Sequence, residues 1–356
     1  MEKRMVVGMS GGVDSSMALL LLKRQGWEPV GVTLILPHWE GARTKENACC
    51  TKEALETAES VCRRLGVEHH ALDAREDFRE KVIEPFVSGL SSGITPNPCA
   101  YCNRDLKFSK LLEFAQARGI GFIATGHYAR TRINPETGKT GLLRPKDLGK
   151  DQTYGMCLVS GETFARVVFP LGDLLKSEVY SLAEREGFPV FSKKKQSQDL
   201  CFVSGTDLPG FMQEKLGKNP GPVRDGEGKV LGRHRGLHFY TVGQRRGLGL
   251  TGQYYVKSLD PGTNTLVVAK EKSGAGTESA VLRDCNFVSG IPPENGFKVL
   301  AQVRSHQAPV EAVVGQPGKG GIEVRFKAPV EAVTPGQVCA LYSGDACLGG
   351  GVIARA

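Results

Sequence analysis

Residues 8–16 read GMSGGVDSS. The stretch follows a short apolar run, MVVGM (5–9), and leads into DSSMALLLLKRQ (14–25), a helical segment closed by Gly26. A glycine-rich turn between strand and helix gathers unpaired backbone N–H groups and the positive end of a helix at one point, which suits a phosphate. Gly11 and Gly12 let the backbone approach an anion closely, and Ser10, Ser15 and Ser16 add hydroxyl donors. No lysine follows as in G-x-x-x-x-G-K-[ST], so the loop reads as a site that lets pyrophosphate leave rather than one that moves a γ-phosphate. Asp14 has two readings, holder of Mg²⁺ or N-cap of the helix.

Outward from this loop, PVGVTLIL (29–36), EHHALDA (68–74) and GFIATGHYA (121–129) are further short apolar runs separated by helical patterns. Alternation of that kind predicts an α/β fold with a doubly wound parallel sheet over residues 1–205. The helix TKEALETAESVCRRLG (51–66) has Thr51 as its cap and Leu55, Ala58, Val61, Cys62 and Leu65 on one face, so Cys62 reads as core. From about residue 205 the chain turns glycine-rich, as in GPVRDGEGKVLGRHRGLHFYTVGQRRGLGL (221–250), and predicts a small, mostly β module over 206–275. SGAGTES (273–279) reads as a linker. KVLAQVRSH, PVEAVVG, GIEVRFKAPVEAV and GQVCALYSG then predict a compact C-terminal β-barrel over 276–356.

The N-terminus reaches an acidic residue too soon for a signal peptide, and no apolar run is long enough to span a bilayer, so a cytoplasmic, membrane-free location is expected. The ten cysteines are then free thiols, metal ligands or catalytic groups. The net charge is +8, with basic clusters at 193–195, 233–235 and 245–246, which suit a polyanion or, equally, a solvated face.

Two cysteines stand out. TPNPCAYCNRDLKF (95–108) sets Cys102 directly before the patterned helix 103–119, near Arg104 and Lys107, where a thiolate is favoured. Pro96 and Pro98 are expected to bar helix before it. Cys201 follows the lysine run in KKKQSQDLCFVSG (193–205), where a lowered pKa or a small core residue are equal readings. Cys157, Cys285, Cys339 and Cys347 lie in apolar or strand-like settings and read as structural, and His38, His69 and His70 lack metal-ligand spacing.

TPNP-x-x-x-CN-x-x-x-KF, ATGHYAR, LLRPKDLGKDQTY, KKK-x-S-x-x-x-CF, TVGQRRGLG and TPGQVCALYSGDACLGGG occur in this order along the chain. Together with S-G-G-x-D-S they closely resemble the tRNA-specific 2-thiouridylase family of the PP-loop ATP pyrophosphatases. The resemblance implies ATP-dependent adenylation of the C2 oxygen of a wobble uridine in tRNA, then sulfur transfer, giving 2-thiouridine, AMP and pyrophosphate. It implies that Gly8, Met9, Ser10, Gly11, Gly12, Val13, Asp14, Ser15 and Ser16 hold the ATP phosphates, with Leu36 and Gly126 beside the nucleotide. Asn97, Pro98 and position 99 match the segment that touches the target base, and His127, Lys150, Asp151, Gln152, Arg304, Ser305 and Gln337 match residues that meet tRNA. In the family pattern Cys201 carries a persulfide delivered by a sulfur-carrier protein and Cys102 is the nucleophile that releases sulfide or closes a disulfide with Cys201.

Cys99 departs from the aspartate of many relatives, as Leu36 departs from their methionine. C-x-x-C with a distant third cysteine suits a [4Fe-4S] cluster, so Cys99, Cys102 and Cys201 form an alternative ligand set that receives inorganic sulfide at an open iron. Both mechanisms stand on the sequence. So do two other functions: a PP-loop enzyme adenylating a different tRNA base or a small molecule, and a non-catalytic tRNA-binding iron–sulfur protein. Cys49 and Cys50 have no assigned role.

Overall fold

The computed structural model describes residues 3–39, 52–188, 200–203, 207–270 and 276–355. The lysine run 193–195, Cys49, Cys50 and the Thr51 cap lie outside them.

Strands β1 (Arg4–Gly8), β2 (Glu28–Ile35), β3 (His69–Asp73), β4 (Ile123–Thr125), β5 (Arg130–Ile133), β6 (Thr140–Leu143) and β7 (Val167–Val168) come from the first half of the chain. Five of them form a sheet in the order β3-β2-β1-β4-β7, all neighbours parallel. Parallel strands need crossovers, and helices α1 (Val13–Arg24) and α2 (Lys52–Arg64) supply the first two. Two cores lie against this sheet. One holds Met17, Leu19, Ala58, Val61 and Cys62 under α1 and α2, and the other holds Phe108, Leu111 and Phe114 of the helical run 98–116. Cys62 is fully buried, as its place on the apolar face predicts.

A four-stranded sheet follows, with Tyr255–Asp260, Thr265–Ala269, Gly221–Arg224 and Val230–His234 side by side. Beyond it, six strands between Thr277 and Ile353 close on themselves, because Thr277–Phe287 pairs with both Ile322–Val330 and Ala346–Ile353. The barrel has its own core of Leu282, Val299, Val314, Val324 and Leu341.

Three expectations change. Residues 277–279 of the expected linker are the start of a barrel strand, since alternating small residues pair as well as larger ones when a neighbour strand is present. The run 121–129 is strand only over Ile123–Thr125, because Gly126 turns the chain out of the sheet. The β5–β6 hairpin, not foreseen in the sequence, adds to the barrel sheet through Ala346–Leu143 and Cys347–Leu142 pairing. Tyr342, Val338 and Ala340 of the barrel therefore share a core with Phe108 and Tyr154 of the first domain. Among the described residues no helix is long and apolar enough to cross a membrane.

Candidate active site

In the order β3-β2-β1-β4-β7 the winding direction reverses between β1 and β4, and a crevice opens beyond the strands' C-terminal ends there. The loop from Gly8 to Gly12 leaves β1 at that edge, Leu36 follows β2, and Gly126 and His127 follow β4. The glycine loop, Leu36, Gly126 and His127, all expected at the nucleotide or tRNA site, thus converge on one rim. Gly11 has φ +69°, a left-handed conformation, and a Cβ there would lie 2.1 Å from the Ala54 carbonyl oxygen. Gly126 is needed for contact as well: its Cβ would fall 2.6 Å from the Ser15 nitrogen. The Ser10 and Ser15 hydroxyls are 3.2 Å apart, and the Ser16 hydroxyl donates to the Gly12 carbonyl at 2.8 Å. Gly12 is the N-cap of α1 and brings no side chain to its first-turn N–H groups. An uncapped helix start behind a glycine cradle fits a phosphate group.

Asp14 is neither an N-cap nor an open metal ligand. It is the second residue of α1, and Lys176 Nζ lies 2.6 Å and 2.7 Å from its two carboxylate oxygens. Tyr128 Oη donates to the same carboxylate at 3.1 Å. A Mg²⁺ ion bound to Asp14 would share its ligand with an ammonium, so the residue does not fit as a dedicated magnesium ligand in this arrangement. No local sequence signal marks Lys176, which sits 162 positions from Asp14 in an ordinary helix start.

The cysteine segment differs from its sequence reading. Asn97 Oδ1 accepts from the Ala100 N–H at 3.1 Å, so a helix begins at Pro98, with proline at the first position where its missing donor costs nothing. The helix continues through a π-helical turn, Asn103–Lys107, into Phe108–Gln116. Cys102 is therefore inside a continuous helical run, not at its N-terminus. It is 6 % exposed, and burial pushes its thiol up to about 11 against the opposing charge of Lys107. Cys99, in the first turn, is the exposed thiol.

Cys201 sits at the edge of the same apolar cluster that contains Cys102, Phe78, Phe86 and Phe202. Its segment is pinned by Trp39, whose backbone N–H donates to the Phe202 carbonyl at 2.9 Å, and by Phe202 meeting Phe78 and Phe211 edge-on. Among the described residues no three His, Cys, Asp or Glu side chains are arranged to hold a metal ion. Cys99, Cys102 and Cys201 are all described, so as they stand they do not fit a three-thiolate cluster site.

The residues matched to tRNA contacts divide in two. Gln152 and Ser305 are exposed. Gln337 Nε2 donates to the Thr95 carbonyl at 2.8 Å and so ties the barrel to the TPNP segment. Asp151 is committed within the fold, ion-paired with Arg144 at 2.9 Å and accepting from the Thr153 hydroxyl at 2.6 Å. Arg304 is spent in the same way: it donates to the carbonyls of Ala332 and Val242 and to the Thr334 hydroxyl. It fastens the central module to the barrel. His127 packs on Phe108 and Phe169 with Thr125 Oγ1 2.8 Å from Nδ1, and burial drives its pKa well below the usual histidine value. The ring is therefore held neutral. On the central module Arg233, Arg235, Arg245 and Arg246 are exposed.

Three family models cover the chain in succession: a tRNA methyl transferase HUP domain over residues 3–205, a PRC-barrel domain of the same family over 209–270 and an aminomethyltransferase beta-barrel domain over 277–353. The tRNA-specific 2-thiouridylase MnmA of Roseiflexus sp. (strain RS-1) is 43% identical over 375 residues, covering 99% of each chain. The enzyme of the same name from Moorella thermoacetica is 42% identical over 356 residues, covering 98% of each. A solved 4-thiouridine synthetase–RNA complex overlaps with a TM-score of 0.35 at 15% identity, covering 60% of this chain and 50% of that one, too loosely to argue from. With identity of this level sustained over the whole length and the phosphate cradle, TPNP segment and paired thiols in place, the chain belongs to the tRNA-specific 2-thiouridylase family.

Proposed function

We infer that this protein is a tRNA-uridine 2-sulfurtransferase, which adenylates the C2 oxygen of the wobble uridine with ATP and replaces it with sulfur. One observation carries the reading. The helical run 98–116 is the crossover into β4, so its start, with Asn97, Pro98 and the C-x-x-C pair, opens at the same sheet edge as the phosphate loop. A base contacted by Asn97 and Pro98 is then within the compass of both ATP and thiols.

The chemistry needs both. A uracil carbonyl oxygen is a poor leaving group; attack of O2 on the α-phosphorus expels pyrophosphate and converts that oxygen into part of AMP. Gly8 to Ser16 bind the departing β- and γ-phosphates through backbone N–H groups and hydroxyls. Leu36 and Gly126 flank the nucleotide. Magnesium comes with ATP, held mainly by its phosphates.

Sulfur reaches the base from a persulfide on Cys201. The Cys102 thiolate attacks the inner sulfur, a Cys102–Cys201 disulfide forms, and the terminal sulfur leaves as hydrosulfide. Hydrosulfide adds to C2 and AMP departs. Two external thiols then reduce the disulfide. The shared apolar cluster of the two cysteines supports this sequence, while the exposed Cys99 is a bystander to it. A sulfur-carrier protein supplies the persulfide. Residues 1–205 serve as the ATP-binding unit, 206–275 as the tRNA-binding module through its exposed arginines, and 276–356 as the barrel that braces the TPNP segment.

Nucleoside mass spectrometry tests the reading directly. Unmodified tRNA incubated with the protein, ATP and a persulfide donor gains 2-thiouridine at the wobble position, one pyrophosphate per base. Thiolation without ATP, or pyrophosphate release with no change in tRNA, refutes it.

A further inference from the structure

Lys176 is 8 % exposed, and a buried ammonium is costly unless a charge partner meets it. Its partner is Asp14, in the first turn of the helix that receives the ATP phosphates. The lysine is also fixed sideways. Its Nζ lies 5.5 Å from the Tyr128 ring centre and 5.0 Å from that of Tyr180, and its backbone N–H donates to Asp147 at 2.9 Å. Tyr128, which forms one wall, also donates its hydroxyl to Asp14 and follows Gly126 and His127 in the chain.

The arrangement has a direction. The Asp14 side chain is 35% exposed and that of Lys176 10%, so the carboxylate is the solvent-facing member of the pair and the ammonium backs it from inside. A lone carboxylate in the first turn of a phosphate-binding helix would repel the anion the helix attracts. The lysine cancels that repulsion and holds the carboxylate in one orientation. We propose that Lys176 is a positioning residue for the adenylation step, neutralising and orienting Asp14 so that the loop accepts ATP and releases pyrophosphate.

The proposal rests on the ATP reading above, and the test keeps the two apart. Wild type, Lys176→Met, Lys176→Gln, Lys176→Arg, Asp14→Asn and the Asp14→Asn/Lys176→Met double variant are compared by calorimetric binding of α,β-methylene ATP, by tRNA-dependent pyrophosphate release and by tRNA affinity. Lys176→Met lowers kcat/KM for ATP by about 100-fold and weakens analogue binding, while tRNA affinity stays within about twofold. Lys176→Arg, which keeps the charge, recovers most of the analogue binding. The double variant is no worse than Asp14→Asn alone, because no carboxylate is left to neutralise. Should Lys176→Met not fold, Lys176→Gln decides by the same readouts. Unchanged ATP binding and turnover in the neutral variants overturn the proposal, as does a double variant whose losses multiply. Wild type that releases no pyrophosphate overturns the ATP reading itself.

Discussion

The phosphate loop and the cysteine platform lie on one sheet edge but are built in different ways. The loop is largely local: serines 10, 15 and 16 bond to one another and to Gly12, Ala54 and Gly126 close on its backbone, and Lys176 and Tyr128 hold Asp14. The platform is assembled from distant pieces, namely the TPNP turn, the Phe202 segment held by Trp39 and the barrel residue Gln337. A local device keeps in the fold the chemistry its residues have in isolation. An assembled one takes its chemistry from its surroundings, and Cys102 shows the consequence, since the thiol meant to be activated is pushed up by burial.

The largest test separates the two regions by reaction step. Cys102→Ala and Cys201→Ala are expected to lower 2-thiouridine formation by about 1000-fold or more while tRNA-dependent pyrophosphate release continues. Gly11→Ala, which needs a left-handed backbone and drives a Cβ into Ala54, should remove both products. Mass spectrometry of the base and a pyrophosphate assay on the same reactions check this. Cysteine variants that lose pyrophosphate release would mean that the regions act as one unit.

A second test addresses the buried thiol. With its pKa near 11 against the ordinary 9.0, Cys102 carries about 100-fold less thiolate than an unshifted thiol at neutral pH. Timed iodoacetamide labelling at pH 7.5, read by peptide mass spectrometry, is expected to modify exposed Cys99 well before Cys102. Equal rates would contradict the burial. If labelling of Cys102 speeds up when tRNA and the ATP analogue are bound, substrate is what uncovers the nucleophile.

Much of this was legible in the sequence, for the same physical reason. The strand–loop–helix unit, the parallel sheet and the barrel strands are written in short-range patterns of glycine and apolar residues, and they appear where expected. The cysteine helix starts earlier than the pattern suggests, because proline breaks a helix interior but fits its first turn, here Pro98 in a helix capped by Asn97. The β5–β6 hairpin was invisible, since its pairing partner lies some two hundred residues on. So was Lys176, whose burial and partner exist only in three dimensions.

Arg304 illustrates the same limit among the tRNA-facing residues and gives a third test. A motif match makes it a nucleic-acid contact, yet its guanidinium is occupied by Val242, Ala332 and Thr334. Arg304→Met should cost about 3 kcal/mol of stability, read from urea midpoints, because three acceptors lose a charged donor. It should leave the salt dependence of tRNA binding unchanged. Arg245→Ala, on the exposed face of the central module, should do the reverse, reducing the slope of log affinity against log salt by about 1 with no change in midpoint. If Arg304→Met flattens the salt slope instead, the guanidinium leaves its internal partners for the phosphate backbone.

The smallest effect concerns His127, which joins the two regions at the end of β4. Packing against Phe108 and Phe169 lowers its pKa well below 6.5, with Lys107 adding in the same direction. The folded protein therefore holds the ring neutral where the unfolded chain would already take up a proton. Stability from this group is complete above pH 6.5 and is lost as the pH falls below it, since protons then favour the unfolded state. His69, His234 and His238 are lowered by burial too, so the wild-type urea midpoint should fall between pH 7.5 and 5.5. His127→Gln removes one contribution and should make that fall shallower. Parallel midpoint curves for the two proteins would mean that His127 titrates alike in both states and reaches tRNA as a cation below pH 6.5, joining the phosphate-binding surface instead of the neutral wall of the nucleotide crevice.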